Sequence, residues 1–170
     1  MNSMKKIFVS KITLNIGVGS PGDKMEKAMR LLSTISGSKP VSTITNKRIP
    51  TWGVRPKLAI GAKVTVRGKK ANELLKRLLH ALDNKLPTSK FDQFGNLSFG
   101  IHEYIDIQGI AYDPTIGVIG LEAAVTLERP GFRIKRRTIN KQKLPLRHRI
   151  TKEEAIQFVQ KEFGAKVGEE

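Results

Sequence analysis

Gly17, Gly19 and Gly22 stand at the spacing G-x-G-x-x-G, after an apolar alternating run and before an apolar helical run. Such a turn can cradle a dinucleotide pyrophosphate at a helix N-terminus. That chemistry also needs a carboxylate about 20 residues further on to hold a ribose. Here the corresponding stretch reads VSTITNKR and carries none. The glycines then serve a tight strand-to-helix turn, or offer backbone amides to a phosphate of any kind, RNA included. His80, His102 and His148 are scattered, without the spacing of a metal site. The chain has no cysteine, so no disulfide, thiolate ligand or cysteine nucleophile. No Ser-His-Asp or paired-carboxylate arrangement is legible, and neither catalysis, nor a metal, nor a cofactor is expected.

The chemistry that remains is ionic. Lys plus Arg is 31 against 15 Asp plus Glu, a net charge of +16, with a pI near 10.3. A small soluble domain carries a net charge of about 2–8 in magnitude. The charge is also polarised. Residues 27–72 and 129–152 together hold 21 of the cations and none of the acids. A merely solvated surface mixes signs, whereas a surface that faces phosphates does not. A nucleic-acid partner follows. No stretch reaches the length of a membrane span or of a signal peptide's apolar run, and no membrane partner is expected.

The elements that must position these groups follow from hydrophobic period. Ile12, Leu14, Ile16 and Val18 alternate with Lys11, Thr13, Asn15 and Gly17, which predicts a strand over 7–18. Ser20 and Pro21 read as N-cap and first residue of a helix with Met25, Ala28, Met29, Leu32 and Ile35 on one side. Gly37 ends it. Strands are expected over 41–48 and 58–67, joined by a loop over 49–57 that Pro50, Gly53 and Pro56 break. A leucine-striped helix spans 69–84, residues 86–97 are irregular, and further strands cover 98–105 and 121–128. Residues 129–150 form a long basic loop that gains order when an anionic partner neutralises it. Thr151 and Glu154 open a last helix as a capping box.

The expected fold is α+β: a single domain over 1–170 with a mostly antiparallel sheet, helices packed on one face and a polar, basic open face. A short tail covers 165–170. Asn15, Thr43 or Thr45, Lys63, Thr65 and Arg67 would share the open face. The sheet lacks the aromatic pattern that stacks bases in an RRM, so backbone, 2′-OH and shape contacts are favoured. Trp52 either anchors the proline-broken loop in the core or stacks on RNA.

TLNIGVG, GSKPVSTITNKRI, GAKVTVRG, FDQFGNLSFGIHE and GFRIKRRTINKQKLPLRHRI, in this order and ahead of a helix, resemble the large-subunit ribosomal protein L5 family, archaeal type. The resemblance covers residues 11–164. It implies a structural role: binding 5S rRNA and attaching it in the central protuberance, with a loop toward P-site tRNA and a bridge to the small subunit. It implies no catalysis. Its 5S-facing polar positions fall on Asn15, Thr65 and Ser38, where serine reaches less far than the glutamine frequent in bacterial members. The residues' own chemistry adds Gly17, Gly19, Thr43, Thr45, Lys47, Arg48, Lys63 and Arg67 to that surface. The tRNA loop falls on TWGVRPK, with Trp52, and with Arg55 and Lys57 at its tip. Arg133, Lys135, Arg136, Arg137, Lys141, Lys143, Arg147 and Arg149 become further rRNA or bridge contacts. Implied partners are 5S rRNA, 23S-type rRNA, P-site tRNA, neighbouring large-subunit proteins and a small-subunit protein. The free protein is expected as a monomer, in the cytoplasm and in the ribosome. The alternative is an extra-ribosomal general RNA-binding protein or chaperone.

Overall fold

The strand predicted at the N-terminus becomes the middle of a sheet. In the computed structural model, which describes residues 2–168, β1 (Phe8–Gly17) lies between β3 (Ala59–Arg67) and β6 (Leu121–Glu128). β2 (Val41–Ile44) and β5 (Leu97–Ile101) form the edges, giving the order β2-β3-β1-β6-β5. Every pairing in this five-stranded sheet is antiparallel.

Period-2 alternation sends Ile12, Leu14 and Ile16 of β1 to one side, with Val64 and Val66 of β3 and Ala123, Val125 and Leu127 of β6. α1 (Asp23–Ser36) covers that side with Ala28, Leu31, Leu32 and Ile35, and α2 (Lys69–His80) with Leu74, Leu75, Leu78 and Leu79. α3 (Lys152–Phe163) adds Ala155 and Val159 to the same core. Burying each of these Leu or Ile side chains stabilises the fold by about 1.5–3 kcal/mol. The helices therefore pack on one face and leave the other uncovered.

Several boundaries differ from the sequence reading. α1 starts at Asp23 with Gly22 as its N-cap, at φ 126 and without a side-chain cap, so Ser20 and Pro21 belong to the preceding turn. Gly37 does close the helix in the left-handed conformation. β2 stops at Ile44 rather than running to 48, because Thr45 turns back on itself: its Oγ1 accepts from the Lys47 amide at 3.2 Å. α2 ends at His80, where Asp83 and Asn84 take positive φ and turn the chain. β5 ends at Ile101, and a 3-10 turn at Tyr104–Asp106 buries Tyr104.

β4 (Lys85–Pro87) runs into the segment expected to be irregular, and the expected tail contains β7 (Lys166–Gly168). The two pair in parallel, Leu86 opposite Val167, and the Lys166 amide donates to the Asn84 carbonyl at 2.7 Å. Strands of three residues are too short to show an alternation. The Thr151–Glu154 capping box forms as expected.

Candidate nucleic-acid interface

On the uncovered side the register pairs Lys11 with Arg67, Thr13 with Thr65, Asn15 with Lys63 and Gly17 with Gly61. Toward β6, Lys11 meets Thr126, Thr13 meets Ala124 and Asn15 meets Glu122. Directly opposite residues project to the same side, so these side chains share one surface. β2 extends it with Val41 opposite Lys63 and Thr43 opposite Gly61. Gly61 is required there: a Cβ would lie 2.8 Å from Thr43 Oγ1 and 2.9 Å from the Ile16 carbonyl.

Lys63 and Arg67 are exposed, while Thr13, Asn15 and Thr65 are half-buried between neighbours. The arrangement places short hydroxyl and amide donors in the middle and long cations around them. Amide and hydroxyl groups hydrogen-bond phosphate and ribose oxygens, and cations release counterions from them. Lys11 and Thr13 were absent from the sequence-derived site, although they share the parity of Asn15.

Two carboxylates also point to this side. The exposed Glu122 accepts from Asn15 Nδ2 at 3.4 Å. Glu128, 8% exposed, is neutralised by Arg136, whose Nη2 lies 2.6 Å from Oε2.

Beyond Arg67, α2 opens with Lys69 and Lys70, with no capping side chain and no acid in its first turn. Cations at the positive end of a helix are unfavourable, and a polyanion at that end offsets the cost. This local conflict was legible as two lysines directly after Gly68 at a helix start.

The glycine turn spends two of its amides inside the fold. The amides of Val18 and Gly19 both donate to the Ile60 carbonyl, at 2.9 and 2.8 Å. Asp23 and Glu26 fill the first turn of α1 with negative charge, which satisfies the helix dipole and repels a phosphate. Gly19 and Gly22 serve conformation, with φ of 82° and 126°. Gly17 ends the row of the open face, opposite Gly61.

Ser38 lies just after α1, half-buried, and its amide donates to Ser36 Oγ at 3.2 Å. Thr45 falls off the sheet face for the reason given above. Lys47 and Arg48 are exposed on the outgoing limb of the β2–β3 loop. That loop is pinned by Thr45–Leu58 and Lys57–Thr45 backbone bonds and by an Ile49–Val54 bridge, with Val54 buried. Its tip is the 3-10 turn Pro50–Trp52. Arg55 and Lys57 thus sit on the return limb rather than at the tip. Trp52 is 76% exposed, so the reading of it as a core anchor is wrong.

The basic loop 129–150 is tied by bonds of its own. At its base the Arg129 guanidinium, 5% exposed, donates to the Arg149 carbonyl at 3.1 Å and to Glu154 Oε1 at 2.7 Å. His148 Nε2 lies 2.8 Å from the Pro130 carbonyl, and its ring stands edge-on to Phe132. Leu144 and Ile150 are buried. Arg133, Lys135, Lys141, Lys143, Arg147 and Arg149 are exposed. Arg136 is held by Glu128, and Arg137 Nε donates to the Asn140 carbonyl at 2.7 Å. The net effect is a structured cationic projection.

Burial raises the Glu154 pKa as its largest single influence. The Thr151 amide and the Arg129 guanidinium together outweigh it, and the carboxyl sits below its ordinary value. Among the described residues there is no cluster of His, Cys, Asp or Glu able to hold a metal ion, and no helix long and apolar enough to cross a membrane.

Comparison with known proteins gives the family. The family model for Ribosomal protein L5 matches residues 2–55, and that for the ribosomal L5 family C-terminus matches residues 59–158. The large ribosomal subunit protein uL5 of Nanoarchaeum equitans is 52% identical over 165 residues, covering 96% of this chain and 97% of its own. Its counterpart in Sulfurisphaera tokodaii is 46% identical, covering 99% and 96%. That of Methanosphaera stadtmanae is 44% identical, covering 98% and 99%. With both parts matched and identity running nearly end to end, the chain belongs to the ribosomal protein L5 family, a structural constituent of the cytoplasmic ribosome and not an enzyme.

Proposed function

We propose that the open face of the sheet binds 5S rRNA and attaches it in the central protuberance of the large subunit. One observation carries this reading: the register that sets Lys11, Thr13 and Asn15 beside Arg67, Thr65 and Lys63. A stiff sheet presents these donors with little ordering cost on binding. Thr43 and the cations Lys47, Arg48, Lys69 and Lys70 extend the surface at its margins, and Ser38 lies beside it.

The β2–β3 loop reaches toward P-site tRNA, led by Trp52 with Arg55 and Lys57 behind it. The basic projection holds 23S-type rRNA through Arg133, Lys135, Lys141, Lys143, Arg147 and Arg149, with neighbouring proteins and a small-subunit bridge at its margin. The whole chain, 1–170, acts as one RNA-binding domain and is a monomer when free.

Filter binding to 5S rRNA tests the face. Asn15→Ala and Thr65→Ala each weaken binding by about 1 kcal/mol, the scale of a lost hydrogen bond. Normal binding by both variants would remove the sheet from the RNA surface. Sedimentation tests the setting: the protein travels with large subunits. Broad RNA binding without that co-migration would favour a general RNA-binding protein or chaperone.

A further inference from the structure

We propose that a groove between the turn at residues 92–96 and the basic loop receives a single unstacked RNA base, with the flanking phosphates held on its rim. The groove encloses 560 Å³, inside the range of about 300–1,000 Å³ usual for small-ligand sites. Phe94, Phe132, Leu144 and Ile150 supply its apolar walls. Lys135, Lys141, Lys143 and Arg149 supply its charge, and no carboxylate among the described residues lines it.

Phe94 is 60% exposed, yet its backbone is firmly held. Asp92 Oδ1 accepts from the Phe94 amide at 2.8 Å and the Asn96 amide at 2.7 Å, and Asp92 Oδ2 accepts from Asn96 Nδ2 at 2.8 Å. Gly95, at φ +78, presses on Ile150 so closely that a Cβ would fall 2.5 Å from its Cγ2. An aromatic ring is thereby presented to solvent on a fixed turn. The Asp92 carboxylate is turned to these three N–H groups. Gln142, also in the groove, is fixed through its amide to the Ile134 carbonyl at 3.2 Å. Its side chain can donate to and accept from a base edge.

An apolar slot with an aromatic wall, an amide and a cationic rim matches the two parts of a nucleotide: a base to stack and phosphates to neutralise. An acidic peptide would satisfy only the rim. The inference rests on reading the basic loop as an RNA surface, but it is independent of the sheet face.

The test is a fluorescence titration of the full chain with a short single-stranded RNA carrying 2-aminopurine at its centre. A twin with an abasic centre and an acidic peptide containing one phenylalanine serve as competitors. Binding quenches 2-aminopurine as it stacks. Phe94→Ala abolishes the quench and weakens binding about tenfold, the scale of one lost base–aromatic stack. Phe94→Trp retains both, and the abasic twin competes about tenfold less well. An unchanged quench in Phe94→Ala, equal affinity for the abasic twin, or tighter binding of the peptide overturns the proposal. 5S rRNA filter binding separates the two readings. If the quench survives in Phe94→Ala while Asn15→Ala still weakens 5S binding, the groove proposal alone falls. If Asn15→Ala and Thr65→Ala leave 5S binding intact while Phe94→Ala loses the quench, the sheet-face reading alone falls.

Discussion

Asn15 and Glu122 face each other across β1 and β6, and the Asn15 amide donates to the Glu122 carboxylate at 3.4 Å. The bond orients Asn15 on the surface, but it also leaves an exposed negative charge in a field of cations. Glu122→Gln keeps an acceptor for Asn15 and removes the charge. It strengthens 5S rRNA binding by up to about fivefold, since exposed charge pairs are worth about 0.2–1 kcal/mol. Filter binding at low salt reads the change. Weaker binding would mean that the carboxylate itself contacts the RNA.

Salt provides the second prediction. If the face and the projection together neutralise about six to ten phosphates, affinity falls about 10³–10⁵-fold between 50 and 200 mM salt. A flat salt response in the same assay would contradict a phosphate-facing surface.

Acid should loosen the base of the projection. The Glu154 carboxyl titrates below its ordinary value in the folded chain, so its pairing stabilises the fold above the unfolded-state pKa. That contribution is lost as pH falls through the lower, folded-state pKa. Glu154→Gln leaves the buried Arg129 guanidinium, whose Nε already lacks a partner, without its counter-charge. The substitution keeps an acceptor but removes the charge of a partly exposed carboxylate, and costs about 0.2–1 kcal/mol at neutral pH. Urea unfolding shows the gap between variant and parent narrowing in acid.

Two substitutions separate scaffold from surface. Gly61→Ala drives a methyl into Thr43 and the Ile16 carbonyl and destabilises the sheet by about 1–3 kcal/mol. Trp52→Ala changes stability by less than about 0.5 kcal/mol, as exposed positions do. It leaves 5S affinity intact and alters P-site tRNA binding in reconstituted ribosomes, as does Arg55→Ala combined with Lys57→Ala. Loss of 5S binding in either variant would assign the loop to the wrong RNA.

Much of the site was legible because strand parity is a strong signal. Once Ile12, Leu14 and Ile16 are assigned inward, Asn15 must point outward, and Lys63, Thr65 and Arg67 follow from Val64 and Val66 by the same rule. What strand would lie beside them was not legible, so Glu122 as the partner of Asn15 went unseen. Thr45 was misplaced because its hydroxyl forms a local turn that competes with the strand. The helix start slipped by two residues since Ser20-Pro21 imitates a cap while Gly22 supplies the backbone angle actually used. β4 and β7 leave no periodic trace, being joined only through their long-range pairing. The anchors of the basic loop, Arg129, His148 and Glu154, were not legible because they are polar groups brought together from distant positions.

The place of β1 sets an order of events during synthesis. Its first neighbour, β3, is complete at residue 67, but its second, β6, ends only at residue 128. Until then the N-terminal strand has an open edge and an unfinished bed for RNA. The seam between residues 85–87 and 166–168 closes later still. The middle strand of the sheet is thus made first and flanked on both sides last, so a chain cut short before residue 121 would lack one whole side of the face that carries Lys11, Thr13 and Asn15.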